Sequence, residues 1–137
     1  MSDPTTNGDP ANNGELTVVV ADDEPDVRLL LRLQLDGVDG VTVVGEAGDG
    51  VEVLDVCRRV RPRAVVMDLL MPKMMGIEAI EKLQRELPDV GVVAYTATAG
   101  EFVRHEMERL GVTLLLKSGD VTQLVDALRS SVHRAGA

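Results

Sequence analysis

From position 16 onward, short continuous runs of apolar residues alternate with longer stretches in which apolar residues recur every three or four positions. Continuous apolar runs are typical of parallel strands that are buried on both faces, and the three-to-four spacing is typical of amphipathic helices. A helix is predicted after each strand, so we expect an α/β fold in which helices cover both faces of a parallel sheet. The five predicted strands are Leu16–Ala21, Val41–Glu46, Ala64–Met67, Val90–Tyr95 and Val112–Leu116.

Residues that favour helix ends lie at the borders of the predicted helices. Proline suits a first helical turn, which places Pro25 at the start of the first helix. Asp49 and Asp120 are predicted to cap the second and fifth helices, and Gly111 is predicted to end the fourth. The predicted core-facing residues are Val27, Leu30, Leu31 and Leu35; Val53, Leu54, Val56, Cys57 and Val60; Ile77, Ile80, Leu83 and Leu87 (helix 76–87); Phe102, Val103, Met107 and Leu110 (helix 100–110); and Val121, Leu124, Val125, Leu128 and Val132.

Composition limits the class of protein. Residues 1–15 are rich in Pro, Gly, Asn, Asp and Thr, which predicts a disordered tail before one domain over residues 16–134. Cys57 is the single cysteine, and it suits a reducing compartment, so a cytoplasmic location is expected. No apolar run approaches the roughly 20 residues of a membrane span. A net charge of −9 with two aromatic residues argues against direct nucleic-acid binding.

Polar side chains follow four of the predicted strands. Asp22 and Asp23 come after the first strand, Asp68 after the third, Thr96 after the fourth and Lys117 after the fifth. Because the carboxyl ends of parallel strands share one edge of the sheet, these groups are expected to meet. Crowded carboxylates repel one another unless a cation is present, and hard oxygen ligands suit Mg²⁺. A carboxylate nucleophile, a divalent ion, a hydroxyl and an ammonium predict phosphoryl transfer to Asp68.

These motifs resemble the receiver domain of two-component response regulators, over residues 16–134. Within that family, the Lys117-Ser118 ending and the second-strand motif resemble the NarL/FixJ type, whose members usually carry a C-terminal helix-turn-helix. The motifs that carry the resemblance are Val20-Ala21-Asp22-Asp23-Glu24-Pro25, Val43-Val44-Gly45-Glu46-Ala47, Val66-Met67-Asp68-Leu69-Leu70-Met71-Pro72-Lys73-Met74-Met75-Gly76, Thr96-Ala97 and Leu115-Leu116-Lys117.

The resemblance implies a CheY-like (flavodoxin-like) doubly wound (βα)5 sandwich with strand order 2-1-3-4-5. It implies that Asp68 accepts a phosphoryl group from the phosphohistidine of a sensor histidine kinase. The implied function is that of a signalling domain, not an enzyme, although it catalyses its own phosphorylation and dephosphorylation. The implied ligands of Mg²⁺ (or Mn²⁺) are Asp22, Asp23, Asp68 and the Leu70 carbonyl, and the implied phosphoryl-binding groups are Thr96, Ala97 and Lys117.

The predicted readout departs from the family pattern. Phosphorylation is expected to move Thr96 and to change the face formed by helix 4, strand 5 and helix 5, with homodimerisation left open. The family usually pairs the threonine with an aromatic residue, at the position that Leu114 occupies here. Tyr95 cannot substitute, because neighbouring residues on a strand point to opposite faces. The output is therefore predicted to depend on rearrangement of the following loop and helix 4.

Three other interpretations remain open. A phosphatase with an aspartate nucleophile would need a second acid two residues after Asp68, where Leu70 stands. A flavin- or nucleotide-binding module would need a phosphate-binding loop after the first strand, but the acids there would repel phosphate. A stand-alone receiver that acts through protein contacts alone, without a DNA-binding domain, is the third.

Overall fold

Strands and helices alternate regularly along the residues that the computed structural model describes, which are 15–71, 73–118 and 120–135. The five strands are parallel and lie in the order β2-β1-β3-β4-β5, so the predicted doubly wound sheet is confirmed. The elements are β1 (Leu16–Ala21), α1 (Pro25–Asp36), β2 (Val41–Ala47), α2 (Gly50–Val60), β3 (Ala64–Met67), α3 (Gly76–Glu86), β4 (Gly91–Thr96), α4 (Glu101–Leu110), β5 (Thr113–Leu116) and α5 (Val121–Ala135).

The predicted ends of the strands lie within one residue of the observed ends. β2 continues to Ala47, β4 runs one residue later than predicted, and β5 begins at Thr113. α3 ends at Glu86 because Leu87 leaves the helical conformation. The predicted tail over residues 1–15 lies outside the described residues except for Glu15, which accepts a hydrogen bond from Thr42 Oγ1 at 2.9 Å.

The core forms two layers, one on each face of the sheet. Val18 and Val20 of β1 pack with α1 and α5, whereas Val19 and Ala21 of the same strand pack with α2, α3 and α4. This alternation follows from the pleat of a strand, in which successive side chains point to opposite faces. Each fully buried valine contributes about 1.5–3 kcal/mol through the hydrophobic effect, which is why most side chains of the central strands are apolar.

Caps at the predicted helix ends are present. The Asp49 carboxylate accepts a hydrogen bond from the Glu52 N–H at 2.8 Å at the start of α2, and Asp120 Oδ1 accepts one from Gln123 N at 3.2 Å. Gly111 ends α4 with φ of 71°, a left-handed conformation that glycine adopts without a steric cost. Local sequence therefore sets the helix ends.

Two apolar side chains predicted to face the core are exposed instead. Leu30 on α1 is 54% exposed and Phe102 on α4 is 71% exposed. α1 carries more leucines than one face can bury, and the sheet covers Leu31 and Leu35, which lie one turn apart. Phe102 lies in the first turn of α4, whose fully buried side chain is Met107. Among the described helices, none combines the length and the apolar character needed to cross a membrane.

Candidate functional site

The polar residues at the strand ends meet at the carboxyl edge of the sheet, as predicted. A cleft of about 300 Å³ opens there, next to the ends of β1, β3, β4 and β5. Asp22 borders the same group of side chains through Lys117, which touches both Asp22 and Asp68. The residues that line the cleft are Asp23, Glu24, Asp68, Leu70, Thr96, Ala97 and Lys117.

Three carboxylates form an acidic cluster within this group. Asp22, Asp23 and Asp68 each offer an oxygen, and these oxygens lie within 4.8 Å of one another. Asp22 is 1% exposed and Asp68 7% exposed, while Asp23 is open to solvent. Hard oxygen ligands that are close together and partly open to water suit Mg²⁺, which keeps some of its own water ligands. The donor set therefore fits a divalent cation.

Lys117 provides a fixed positive charge at the cluster. Its Nζ lies 2.6 Å from Asp22 Oδ2 and 3.5 Å from Asp68 Oδ2. The Lys117 backbone N–H donates to the Thr96 carbonyl at 2.8 Å, which fixes this residue beside the end of β4. Burial acts against the charged ammonium, but the hydrogen bond that Lys117 donates to Asp22 and the negative charges of Asp68 and Asp22 outweigh this effect, so the pKa of Lys117 is raised. The side chain thus remains a cation.

Asp68 is held at the end of β3 by its backbone and its side chain. Its N–H donates to the Ala21 carbonyl at 2.9 Å, and its Oδ1 accepts a hydrogen bond from the Leu70 N–H at 3.3 Å. Burial raises the pKa of Asp68, the charge of Asp22 adds to this effect, and the hydrogen bond from Leu70 and the ammonium of Lys117 act against it. An additional cation at the cluster would stabilise the ionised form.

A glycine allows α3 to begin directly against the loop that carries Asp68. The Gly76 N–H donates to the Leu69 carbonyl at 3.1 Å. A Cβ atom at Gly76 would lie 2.6 Å from Leu69 Cα and 2.7 Å from the Asp68 carbonyl oxygen. Side-chain atoms do not approach backbone this closely, so a larger residue would displace the loop. Pro72, which the sequence analysis placed in this loop, lies outside the described residues.

Thr96 and Ala97 line the cleft on the β4 side. Thr96 is buried, and its hydroxyl donates to the Thr98 carbonyl at 3.2 Å. Ala97 is exposed at the start of the loop that leads to α4. A hydroxyl that bonds only a loop carbonyl can turn to a new acceptor in the cleft if the loop moves. Two of the three residues predicted to bind the phosphoryl group therefore line the same cleft as Asp68.

Leu114 and Tyr95 lie on opposite faces of the sheet. Tyr95 is buried with α1 and α5, and Leu114 packs partly buried against the layer of α2, α3 and α4. This placement agrees with the sequence argument that Tyr95 cannot take the aromatic position of the family. On the face of β5 that Thr96 shares, Leu114 pairs with Ala94 and Leu116 pairs with Thr96. Both side chains are aliphatic and offer neither a hydroxyl nor a ring.

Glu24 is part of the cleft, although it is not among the residues predicted to form the site. It lines the cleft with Asp23, and its backbone N–H donates to Asp22 Oδ1 at 2.9 Å. Its carbonyl accepts the first hydrogen bonds of α1, from Val27 and Arg28, both at 3.1 Å. Glu24 is the third of three consecutive acidic residues in the sequence, and this position could have marked it as part of the site.

Comparisons with known proteins agree with this arrangement. The family model described as the response regulator receiver domain matches residues 18–129. The chain is 35% identical over 123 residues to the uncharacterized transcriptional regulatory protein YxjL of Bacillus subtilis, covering 89% of this chain and 56% of that protein. It is 35% identical over 115 residues to the response regulator GacA of Pseudomonas viridiflava, covering 83% and 54%. The chain thus spans about half the length of these curated relatives.

Solved structures share the fold. The isolated REC domain of RcsB from Salmonella enterica, determined with the phosphomimetic BeF3⁻, has a TM-score of 0.78 at 24% identity, with 88% of this chain and 98% of that chain covered. A LuxR-family two-component response regulator from Aurantimonas has a TM-score of 0.77 at 25% identity, with 88% and 94% covered. The order of the five strands thus belongs to a known architecture.

Proposed function

The chain belongs to the response regulator receiver domain family, and we propose that Asp68 is the residue that accepts its phosphoryl group. The observation that carries this proposal is the convergence of Asp22, Asp23 and Lys117 on Asp68 at the ends of separate strands. The proposed domain covers residues 16–134, which enclose the matched range 18–129. The family is one of signalling domains and not of metabolic enzymes, and the relatives include transcriptional regulatory proteins.

In the proposed reaction, an Asp68 carboxylate oxygen attacks the phosphorus of a phosphohistidine on the sensor kinase. A P–O bond forms while the P–N bond breaks, and the leaving imidazole takes the electron pair and then a proton from solvent. Asp68 needs no base, because it already carries the negative charge of the nucleophile. The product is an acyl phosphate on Asp68 and a neutral histidine on the kinase.

The residues around Asp68 would stabilise charge in this reaction. Lys117 Nζ lies 3.5 Å from Asp68 Oδ2 and would pair with the phosphoryl oxygens. Receiver domains use a divalent ion at an acidic cluster, and the side chains that would hold Mg²⁺ or Mn²⁺ here are Asp22, Asp23 and Asp68, with the Leu70 carbonyl. When bound, the ion neutralises charge that develops on the transferred group. The chain's own contribution is to hold these oxygens together.

The readout is proposed to begin at Thr96. Its hydroxyl and the Ala97 N–H would bind the new phosphoryl group, which adds about −1.5 to −2 charge and strong hydrogen-bond acceptors. Thr96 would then leave the Thr98 carbonyl, and the loop up to Gly100 and α4 would rearrange, changing the face of α4, β5 and α5. Leu114 lies on the same face of the sheet as Thr96, so the Thr96 hydroxyl would move without an aromatic side chain moving with it.

The proposed output is transcription. The two curated relatives named above are a transcriptional regulatory protein and a response regulator, and the matched part of this chain covers 56% and 54% of their lengths. We therefore propose that a DNA-binding domain outside these residues carries the output and that phosphorylation favours a homodimer. The family supports a cytoplasmic location, where the kinase domain of a sensor would meet the cleft.

The decisive test is Mg²⁺-dependent labelling with acetyl phosphate. We expect wild type to accept one phosphoryl group and Asp68→Asn to accept none, measured by intact mass and by Phos-tag electrophoresis. The asparagine keeps the shape of the side chain but lacks the nucleophilic charge. Equal labelling of the two proteins would refute the assignment of Asp68, and labelling without a divalent ion would refute the metal requirement.

A further inference from the structure

Arg28 joins α1 to the turn that carries the acidic cluster. Its Nη1 donates to the main-chain carbonyl of Asp22 at 2.6 Å, and its Nε donates to Glu46 Oε1 at 3.2 Å. Only 20% of the Arg28 side chain is exposed. The guanidinium thus connects the end of β1, the end of β2 and the first turns of α1 behind the cleft. Neither Arg28 nor the contact to Glu46 follows from the strand-end pattern.

Arg28 supplies one of the four contacts that fix Asp22. The Asp22 N–H donates to the Ala47 carbonyl at 3.0 Å, Oδ1 accepts from the Glu24 N–H at 2.9 Å, and Oδ2 accepts from Lys117 at 2.6 Å. Asp22 is only 1% exposed, so its main-chain carbonyl has no access to water. This carbonyl accepts a hydrogen bond from Arg28 instead. Buried backbone groups need a partner, so this contact determines how the peptide between Asp22 and Asp23 is oriented.

The Arg28 side chain is held by the carboxylate of Glu46, which also binds Arg32. Glu46 Oε1 accepts from Arg28, while Oε2 accepts from Arg32 Nη1 at 2.5 Å. A guanidinium is a planar fork whose donors have fixed directions, unlike the single ammonium of a lysine. Gly48 leaves the space for it, since a Cβ there would lie 3.2 Å from Arg28 Nη1. The direction of the Arg28 donors is therefore set by Glu46.

We propose that Arg28 is a positioning residue for the metal and phosphoryl chemistry, acting through the Asp22 carbonyl to hold the Asp22–Asp23 turn in its ligand-presenting conformation. This inference rests on the proposed function of the cleft. Groups that orient metal ligands from behind typically change metal affinity by 10- to 100-fold when removed. Arg28 differs from Lys117 in that it touches main chain rather than a carboxylate of the cluster.

A role in charge alone makes a different prediction. A cation near the cluster repels Mg²⁺, so if charge were the whole effect, Arg28→Met would bind Mg²⁺ more tightly and Arg28→Lys would resemble wild type. If Arg28 positions the turn, both variants bind Mg²⁺ more weakly, because neither can bond the Asp22 carbonyl and Glu46 with one rigid group. The two roles are thus separated by the sign of one measurement.

The experiment measures Mg²⁺ affinity from amide chemical shifts in two-dimensional NMR titrations, at constant ionic strength and without phosphodonor. Arg28→Lys and Arg28→Met are expected to raise the dissociation constant about tenfold, and Glu46→Gln to raise it by a smaller factor. Arg32→Met is the matched control, since it removes the same kind of group from the same carboxylate without touching Asp22, and it should stay within threefold. The spectra also report whether each variant is folded. If an Arg28 variant does not fold, the Mg²⁺ dissociation constant of Glu46→Gln tests the proposal instead.

Acetyl phosphate labelling of the same proteins separates this inference from the function on which it rests. If wild type is not labelled at Asp68, the proposed function fails. If wild type is labelled and Arg28→Lys keeps wild-type Mg²⁺ affinity, the positioning role of Arg28 fails while the function stands. An equal loss of affinity in Arg32→Met would also overturn it, because the effect would then belong to the Glu46 ion pairs in general.

Discussion

At the scale of single residues, the contacts in the cleft partly offset the cost of burying the ionised carboxylate of Asp68. Asp68 is placed where burial raises its pKa, and Lys117 and the Leu70 N–H lie close enough to offset part of that cost. The negative charge of Asp22 also repels that of Asp68, and Lys117 lies between the two carboxylates and contacts both. Three acids and one ammonium leave the cluster negative. This is the charge balance that a divalent cation, followed by a phosphoryl group, would complete.

Leu70 is predicted to slow loss of the phosphoryl group. Its side chain is 61% exposed and lines the cleft, where it offers no hydrogen bond to an attacking water. We expect Leu70→Asn to release phosphate several-fold faster, well below the roughly hundredfold effect of a full general base. The measurement is the decay of purified phosphoprotein by Phos-tag electrophoresis. Leu70→Met, which stays apolar, should decay like wild type, and a faster Leu70→Met would show that shape and not polarity matters.

Cys57 is predicted to make stability fall in alkaline solution. The thiol is buried in the layer of α2, α3 and α4, and burial raises its pKa from 9.0 to about 12. The unfolded chain therefore loses its thiol proton first, so the contribution of Cys57 is complete below pH 9 and is lost as the pH rises towards 12. The expected slope from this group is about 1.4 kcal/mol per pH unit.

Urea unfolding at pH 8, 9 and 10 measures this effect. Cys57→Ala loses stability at every pH because it leaves a cavity, but its free energy of unfolding should fall less steeply with pH than that of wild type. Parallel slopes in the two proteins would show that the thiol does not ionise on unfolding in this range.

At the scale of elements, the helices that follow the strands differ in how firmly the local sequence fixes their first turn. α1 starts with Pro25 after the acidic turn, α2 with the Asp49 cap, and α3 with Gly76 packed on the acceptor loop. α4 begins at Gly100 without a side-chain cap and with no atom within 4 Å of an added Cβ. The start of α4 is thus the least restrained helix start beside the cleft, which agrees with the proposed movement there.

The Asp49 cap is predicted to stabilise the protein by about 1 kcal/mol. Asp49→Ala removes the acceptor for the Glu52 N–H, and the free energy of unfolding at pH 7 should fall by that amount. Asp49→Asn keeps an acceptor oxygen and should lose less. If the asparagine and alanine variants were equally destabilised, the charge and not the hydrogen bond would be responsible.

The cap also predicts a pH dependence. The hydrogen bond from Glu52, reinforced by Lys73, holds the pKa of Asp49 below its usual 3.8. The ionised form is therefore favoured in the folded state, so its contribution is present above pH 3.8 and is lost as the pH falls through the lower folded value. The difference between wild type and Asp49→Asn should shrink in acid, as measured by urea unfolding between pH 3 and 7.

At the scale of the whole molecule, the ligands of the proposed metal come from distant parts of the chain. Asp22 and Asp23 follow β1 and Asp68 follows β3, so the cluster exists only when the sheet has formed. A ligand that binds only the folded state stabilises it by mass action. At a Mg²⁺ concentration ten times the dissociation constant, the free energy of unfolding should rise by about 1.4 kcal/mol, and chelation should remove the gain.

Urea unfolding followed by circular dichroism measures this gain at constant ionic strength. Asp23→Asn is the control, since Asp23 is exposed and its loss should spare the fold while removing most of the Mg²⁺ response. An equal gain in Asp23→Asn would mean that the ion acts generally on the acidic surface and not at the cluster.

The sequence by itself determined the number, type and limits of the elements and the set of residues at the strand ends. It did so because buried parallel strands are mostly apolar, and because the carboxyl ends of such strands share one edge of the sheet. The three acids, the threonine and the lysine of the cleft could therefore be predicted from the pattern, and the resemblance suggested their roles. Local rules were enough wherever the signal lay within a few neighbouring residues.

Only the tertiary structure decided which side chains lie behind the site and which apolar residues remain uncovered. Leu30 and Leu31 are neighbours with the same hydrophobicity, but the sheet covers one and leaves the other in solvent. Arg28 bonds a carbonyl six residues away and a carboxylate on another strand, and no local pattern marks either partner. Burial and long-range hydrogen bonds depend on how helices lie against the sheet, which is a property of the packed molecule and not of any segment of its chain.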